Sequence, residues 1–377
     1  MKLTAIALSP NTQSDDVRLA LSSLLTPWRW VKGEATSLLE KRFKEYLGCR
    51  YTLAFSSGRS ALYAILKSLD LKAGDEVLIQ AFTCVAVPEA ILAAGLRPIY
   101  ADIDETLNID PVDILRKITP RSRVIIVQHT FGLPGNLEAI QKITKENNLI
   151  LIEDCAHALG ARYKNKPVGL FGKASFFSFG RDKIISSIFG GVVATDDTNL
   201  ANRITQVRSE FPEAGFHWVF QQLFHPVSFH FLILPFYQWF NLGKIILYLF
   251  QRMGFLGKAV TAEEKIGVLP VRLQVKMPNA LAVIALHQLE KVGEYNRHRL
   301  ELAKYYTEVL KNTSYKLPVI HPETAPVYLR FNVLNQKAVE ILHHARDQGF
   351  YLGDWYRPVI SPSGTDFSVI GYRPGSC

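Results

Sequence analysis

Between residues 51 and 195 the chain alternates short apolar runs with helical stretches, and this alternation limits its possible folds more than any other feature. Candidate strands are 51–55 (YTLAF), 76–80 (EVLIQ), 97–101 (RPIYA), 123–128 (RVIIVQ), 148–153 (NLILIE), 174–179 (ASFFSF) and 190–195 (GGVVAT). Several are near-continuous in Val, Ile, Leu and Phe, which suits strands buried on both faces. Helical spacing fills the gaps at 59–70, 86–95, 111–117 and 136–147. The pattern predicts an open, mostly parallel α/β sheet. Ligands of such sheets bind beyond the carboxyl ends of the strands, so the chemistry is sought there.

The flanking regions read differently. In residues 1–50, Leu38, Leu39, Phe43 and Leu47 fall at helical spacing before Gly48 stops the run. Residues 214–243 hold no Asp, Glu, Lys or Arg and are rich in Phe and Trp. Helical spacing resumes near 263, and 315–377 reads as short strands and turns around one helix, 336–348. A chain of 377 residues exceeds the usual single core. The expected divisions are an N-terminal segment (1–30), a large α/β domain (31–212), a hydrophobic insertion (213–262) and a smaller C-terminal domain (263–377). Basic residues exceed acidic ones, 43 to 34, which favours an anionic ligand. No Lys/Arg run is dense enough for a nucleic-acid arm, so no nucleic-acid partner is expected. The four scattered cysteines have neither CxxC nor zinc spacing. With the weak N-terminal apolar run, they suggest a reducing, cytoplasmic setting.

Three strand ends carry candidate chemistry. In Phe55-Ser56-Ser57-Gly58-Arg59-Ser60 a strand gives way to a small-residue turn and a helix, whose first N–H groups favour a phosphate. A plain serine cap has the same composition. In Ile152-Glu153-Asp154-Cys155-Ala156-His157 a carboxylate ends a buried strand and needs a positive partner or a capping role. In Phe177-Ser178-Phe179-Gly180-Arg181-Asp182-Lys183 a strand of aromatics ends in a turn presenting a lysine. Most loop lysines are solvated, but one in a dry crevice suits a Schiff base. Cys84, and more weakly His129 and Gly132, mark further strand ends. A phosphate cradle, a strand-end Asp and a strand-end Lys are the parts that a pyridoxal 5′-phosphate site needs.

Here the sequence resembles the DegT/StrS-type nucleotide-sugar aminotransferases. The likeness rests on SSGRSALYAILKSLDLKAGDEVLIQAFTCVAV, RPIYADID, ITPRSRVIIVQHTFGLPGN, LILIEDCAHALGA and SFFSFGRDK…GGVVAT. It implies a fold-type I architecture, a three-layer αβα sandwich with a mostly parallel seven-stranded sheet, plus a smaller C-terminal α+β domain. It implies pyridoxal 5′-phosphate as cofactor and a homodimer. It further implies that Lys183 is the Schiff-base lysine and proton shuttle. Asp154 pairs with the ring nitrogen, Ala156 lies against a ring face, and His157 approaches the phenolic oxygen. Ser178 joins Ser57, Gly58 and Arg59 at the phosphate. Lys183 sets the chain apart from a subgroup with His there, which dehydrates its sugar.

The chain departs from the family pattern in places. Arg59 stands where Thr is usual, and a guanidinium can hold phosphate bidentately. Cys84 replaces the aromatic residue that stacks on the ring. Gln274 stands near the position of an Asn that reaches the partner subunit's phosphate. The chain ends at Gly375-Ser376-Cys377, short of the family's last strand and helix, so a shortened C-terminus is expected. The resemblance implies transamination of a nucleotide-linked keto sugar, with L-glutamate as donor. The alternatives are a non-catalytic or membrane-associated relative and a pyridoxal enzyme of another reaction type. The apolar stretch 214–257 suits either a buried or dimer-contact helical pair or a peripheral membrane anchor, because Trp, Tyr and Phe are flanked by Lys244, Arg252 and Lys258. Pro226 and Pro235 argue against one spanning helix.

Overall fold

A computed structural model of the chain describes residues 4–5, 8–357 and 359–377. Seven strands form its central sheet: β1 (Tyr51–Phe55), β2 (Glu76–Gln80), β3 (Arg97–Ala101), β4 (Ser122–Gln128), β5 (Ile150–Asp154), β6 (Ala174–Ser178) and β7 (Gly191–Thr195). Their spatial order is β1-β7-β6-β5-β4-β2-β3. Strand β7 runs antiparallel to both of its neighbours, and the remaining pairs are parallel. All seven expected strands are present, each within two residues of its expected ends.

The sheet divides the core because successive strand residues point to opposite faces. One core takes Ala54, Leu78, Ile125, Val127, Leu151, Phe177 and Val192. Against them pack α2 (Ala35–Leu47), α6 (Leu137–Glu146) and α11 (Asn279–Glu290). The other takes Leu53, Phe55, Val77, Ile79, Val124, Ile126 and Ile152. It is covered by α3 (Gly58–Lys67), α4 (Ala86–Ala93) and α7 (Thr198–Ser209). These are the three layers expected. Gly48 ends α2 in the left-handed conformation, φ +79°, where a side chain would be strained.

The sequence beyond the sheet packs back onto it. Helix α1 (Ser14–Leu24) lies against α8 (Phe216–Ser228). After α12 (Val292–Leu310) and α13 (Ala338–Asp347), the short strand Ile360–Ser361 pairs in parallel with Thr83–Cys84. Ile360, Ile370 and Tyr372 complete the second core.

The apolar insertion forms a bent hairpin of α8, a π-helical turn (Phe229–Ile233) and α9 (Leu242–Arg252). The turn follows Pro226, which lacks an N–H for the ordinary ladder. Val219, Leu223 and His225 are buried on the inner side. Trp239 and Phe240, 57% and 86% exposed, stand on the outer side with Ile245, Tyr248 and Leu249. No helix of the described residues is long and apolar enough to cross a membrane.

Candidate active site

The carboxyl ends of the parallel strands lie in register along one edge of the sheet. Asp154 pairs with Gln128 on one side and Phe176 on the other, while Gly191 sits between Phe55 and Ser178. A cavity of about 580 Å³ opens at this edge. Ser57, Gly58, Arg59, Cys84, Asp154, Ala156, His157, Ser178 and Lys183 all line it. Residues from four separate strand ends, distant in sequence, thus meet in one space.

Lys183 follows β6 in a turn whose backbone is held by α12 and the N-terminal segment. Asn11 donates its side-chain amide to Lys183 O and to Ile184 O, and Arg299 donates to Ile184 O at 3.1 Å. Lys183 Nζ lies 2.9 Å from His157 Nε2. His157 Nδ1 accepts the Phe131 N–H at 3.3 Å. Burial, with the charges of Lys183 and Arg330, holds the His157 imidazole well below its ordinary pKa. The ring is therefore neutral and stands directly against the lysine amine. The bond therefore aims Lys183 Nζ.

Two adjacent carboxylates at the end of β5 have opposite fates. Glu153 accepts N–H groups from Gly169, Phe171 and Gly172 at 2.6–2.8 Å and lies 3.2 Å from His129 Nε2. It is a saturated structural residue, and His129, whose Nδ1 accepts the Gly135 N–H, belongs with it. Asp154 faces the cavity and accepts the Ala156 N–H at 2.9 Å. Burial pushes its carboxyl up to about 6, against the lowering effects of that N–H, Lys183 and His129. A buried carboxylate of this kind fits a cationic ring nitrogen.

The start of α3 fits a phosphate. Ser57 caps the helix, its Oγ accepting the Ser60 N–H at 3.1 Å. A Cβ on Gly58 would stand 2.9 Å from the Ser178 Cβ, so the helix start and the Ser178 hydroxyl can approach only with glycine there. Together these residues suit pyridoxal 5′-phosphate: a cradle for its phosphate, a carboxylate for its ring and an amine for its aldehyde.

Arg59 and Gln274 are both turned to other groups of the chain. Arg59 lines the cavity, but its donors are engaged: Nη1 pairs with Glu264, Nε lies 3.8 Å from Glu89 Oε1, and Nη2 donates to Ala259 O at 3.1 Å. The two buried carboxylates compete with a phosphate for the guanidinium, because an unpaired buried charge is strongly disfavoured. Glu89 is itself fully buried, and burial pushes its carboxyl well above the ordinary range. Arg59→Ala strands both acids and is expected to lower stability by about 3–5 kcal/mol in urea unfolding. Gln274 is absent from this cavity, because its amide is turned to Leu269 O at 3.4 Å. The preceding Leu273 O instead accepts the Ser56 hydroxyl at 2.6 Å behind the cradle.

The structure adds groups that the sequence did not single out. Around Cys84 the cavity holds an aromatic deck. Phe131 lies parallel to His157 at 6.1 Å and to Tyr356 at 5.9 Å, and Phe82 meets Tyr356 edge-on at 5.0 Å. Tyr356 arrives on the segment ahead of Ile360–Ser361, so the parallel pairing with Thr83–Cys84 places it. Arg330 lies over Trp355 and donates to Asp182 Oδ2 at 3.3 Å. Phe82 and Phe131 had local signals, the strand ends at Cys84 and at His129–Gly132; Tyr356, Trp355 and Arg330 had none.

This sheet order, with an amine and a carboxylate on one cavity at its carboxyl edge, defines a fold-type I transferase. The DegT/DnrJ/EryC1/StrS aminotransferase family model matches residues 11–224 and 243–361, and the chain belongs to that family. It is 30% identical over 320 residues to dTDP-3-amino-3,6-dideoxy-alpha-D-galactopyranose transaminase of Aneurinibacillus thermoaerophilus, covering 84% of this chain and 74% of that protein. It is 38% identical over 184 residues to GDP-perosamine synthase of Escherichia coli O157:H7, covering 48% of this chain and half of that relative. The solved structure of Helicobacter pylori PseC, an aminotransferase involved in the biosynthesis of pseudoaminic acid, superposes with a TM-score of 0.75. At 23% identity, the match covers 99% of this chain and 90% of that one. The gap in the family match, 225–242, falls within the apolar insertion.

Proposed function

We propose that the chain is a pyridoxal 5′-phosphate-dependent aminotransferase that moves an amino group from an amino acid, L-glutamate, to a nucleotide-linked keto sugar. The observation that carries this reading is the meeting of Lys183, Asp154 and the Gly58 cradle on one cavity. The bound cofactor would supply an electron sink for the carbon that loses its proton. Lys183 Nζ accepts the proton from the donor's α-carbon and, in the second half, delivers one to the sugar carbon that receives nitrogen. His157 holds the amine in line for both transfers. Asp154 holds the ring nitrogen protonated, and Gly58, Ser57 and Ser178 hold the phosphate. Arg330 and Arg181 bring positive charge to the cavity wall for anionic substrates. We also propose a homodimer in which Gln274 serves the partner's site.

The test is a half-reaction. Glutamate should bleach the yellow band of the loaded enzyme and release 2-oxoglutarate, and a dTDP- or GDP-linked keto sugar should restore the band. A chain that takes up the cofactor but leaves glutamate untouched would refute the donor.

The outer face of the insertion supports a second reading, peripheral contact with a membrane. Trp239, Phe240, Ile245, Tyr248 and Leu249 are exposed together beside Lys244 and Arg252. On this reading the protein floats with anionic liposomes, and a Trp239→Ser, Phe240→Ser, Tyr248→Ser variant stays behind. Equal flotation of the two removes it.

A further inference from the structure

Two cavity residues have no part in the chemistry above, and both come from outside the sheet. Ser9 precedes α1, and His225 sits in α8. The His225 ring is 1% exposed, and its Nε2 lies 2.8 Å from Ser9 Oγ. Its Nδ1 is buried with no hydrogen-bond partner among the described residues. Ser9 is fixed from the other side as well. Its carbonyl accepts the Thr12 N–H at 3.1 Å, and Asn11, two residues on, is bonded to the backbone of Lys183. The pair is therefore tied to the loop that carries the lysine.

Which atom holds the imidazole proton decides what this wall can recognise. Burial and the nearby Arg181 charge hold His225 well below its ordinary pKa, so it is neutral and has one N–H. A proton on Nδ1 would be a buried donor without an acceptor, which native structures rarely tolerate. On Nε2 it donates to Ser9 Oγ and leaves Nδ1 as an unfilled acceptor, the less costly arrangement. Ser9 then keeps its own O–H free in a cavity that Leu8, Phe229 and Leu247 also line. A hydroxyl donor held at one place among apolar side chains selects a ligand oxygen, carbonyl or hydroxyl, at one position.

We infer that Ser9 is a specificity-determining residue that donates to an oxygen of the sugar, and that His225 is the positioning residue that turns it there. This rests on the sugar-aminotransferase reading and assigns the apolar insertion a place in substrate choice.

The test runs the reaction backwards. GDP-perosamine and dTDP-3-amino-3,6-dideoxy-α-D-galactopyranose are the probes, read by bleaching of the loaded enzyme and by calorimetric Kd. Ser9→Ala should lose about 10–30-fold in kcat/KM for a reacting probe, chiefly in KM, with a matching rise in Kd. Bleaching by glutamate should stay within about twofold. His225→Phe should match Ser9→Ala, and adding Ser9→Ala to it should cost nothing more. His225→Gln, whose amide can reach Ser9 Oγ, should recover to within about threefold of wild type. Equal loss with glutamate and sugar, or no loss with sugar, overturns the pair and leaves the sugar-aminotransferase reading standing. A wild type that bleaches with glutamate but neither reacts with nor binds either probe overturns the sugar contact. A chain that takes up no cofactor overturns the underlying reading, and calorimetry on the free chain then still reads the Ser9 contact.

Discussion

Lys183→Ala is expected to abolish the yellow band of the loaded protein and to lower turnover by about 10⁴-fold, the upper range for a lost acid–base group. The amine has two tasks, holding the cofactor and moving the proton, and no neighbour can take over either. His157, 2.9 Å away, is a neutral imidazole kept from protonation by burial and by Lys183 and Arg330. The absorption spectrum and a single-turnover assay with glutamate check this. A variant that keeps the band, or loses less than about tenfold in rate, would place the reactive amine elsewhere.

Asp154→Asn is expected to lower turnover by about 10²–10³-fold, as when one preorganised electrostatic contact is removed. It also has a signature in the cofactor-free chain. The folded carboxyl is pushed up to about 6 by burial, against an ordinary value of 3.8. Above pH 6 both folded and unfolded chains carry the charge, and the folded one bears the full penalty of keeping it dry. As pH falls through 6 the folded chain takes up a proton that the unfolded chain does not. Stability therefore rises on acidification and the gain is complete near pH 4, about 3 kcal/mol in all. The Asn variant should lack this rise. Urea unfolding of both proteins at pH 7 and pH 5 measures it, and equal slopes would show that Asp154 is not the buried acid.

The legible parts of this protein were those written locally. Strands β4 and β5 announce themselves as unbroken apolar runs, and Asp154 and Lys183 as polar residues where such runs stop. The ion pairs of Arg59 were hidden because its acids, Glu89 and Glu264, sit on a different helix and in a distant helical turn. Nothing near residue 59 in sequence signals either acid. Tyr356 and Arg330 lie in a region of short, aperiodic segments, where no period marks which side chain points inward. His225 was hidden differently. Its surroundings lack charge altogether, so the stretch reads as a surface for lipid or subunit contact. The structure instead turns part of α8 into a wall of the cavity, and the one imidazole on that wall escapes notice among so many aromatics.

The parallel pairing of Ile360–Ser361 with Thr83–Cys84 also has a consequence in time. The ribosome makes these two segments roughly 280 residues apart, about 15–55 s at ordinary rates of synthesis. A nascent chain can thus assemble its sheet, its cradle and its reactive amine while Tyr356 is still unmade. Until that last part is made, the cavity lacks the ring that Tyr356 brings to its lining.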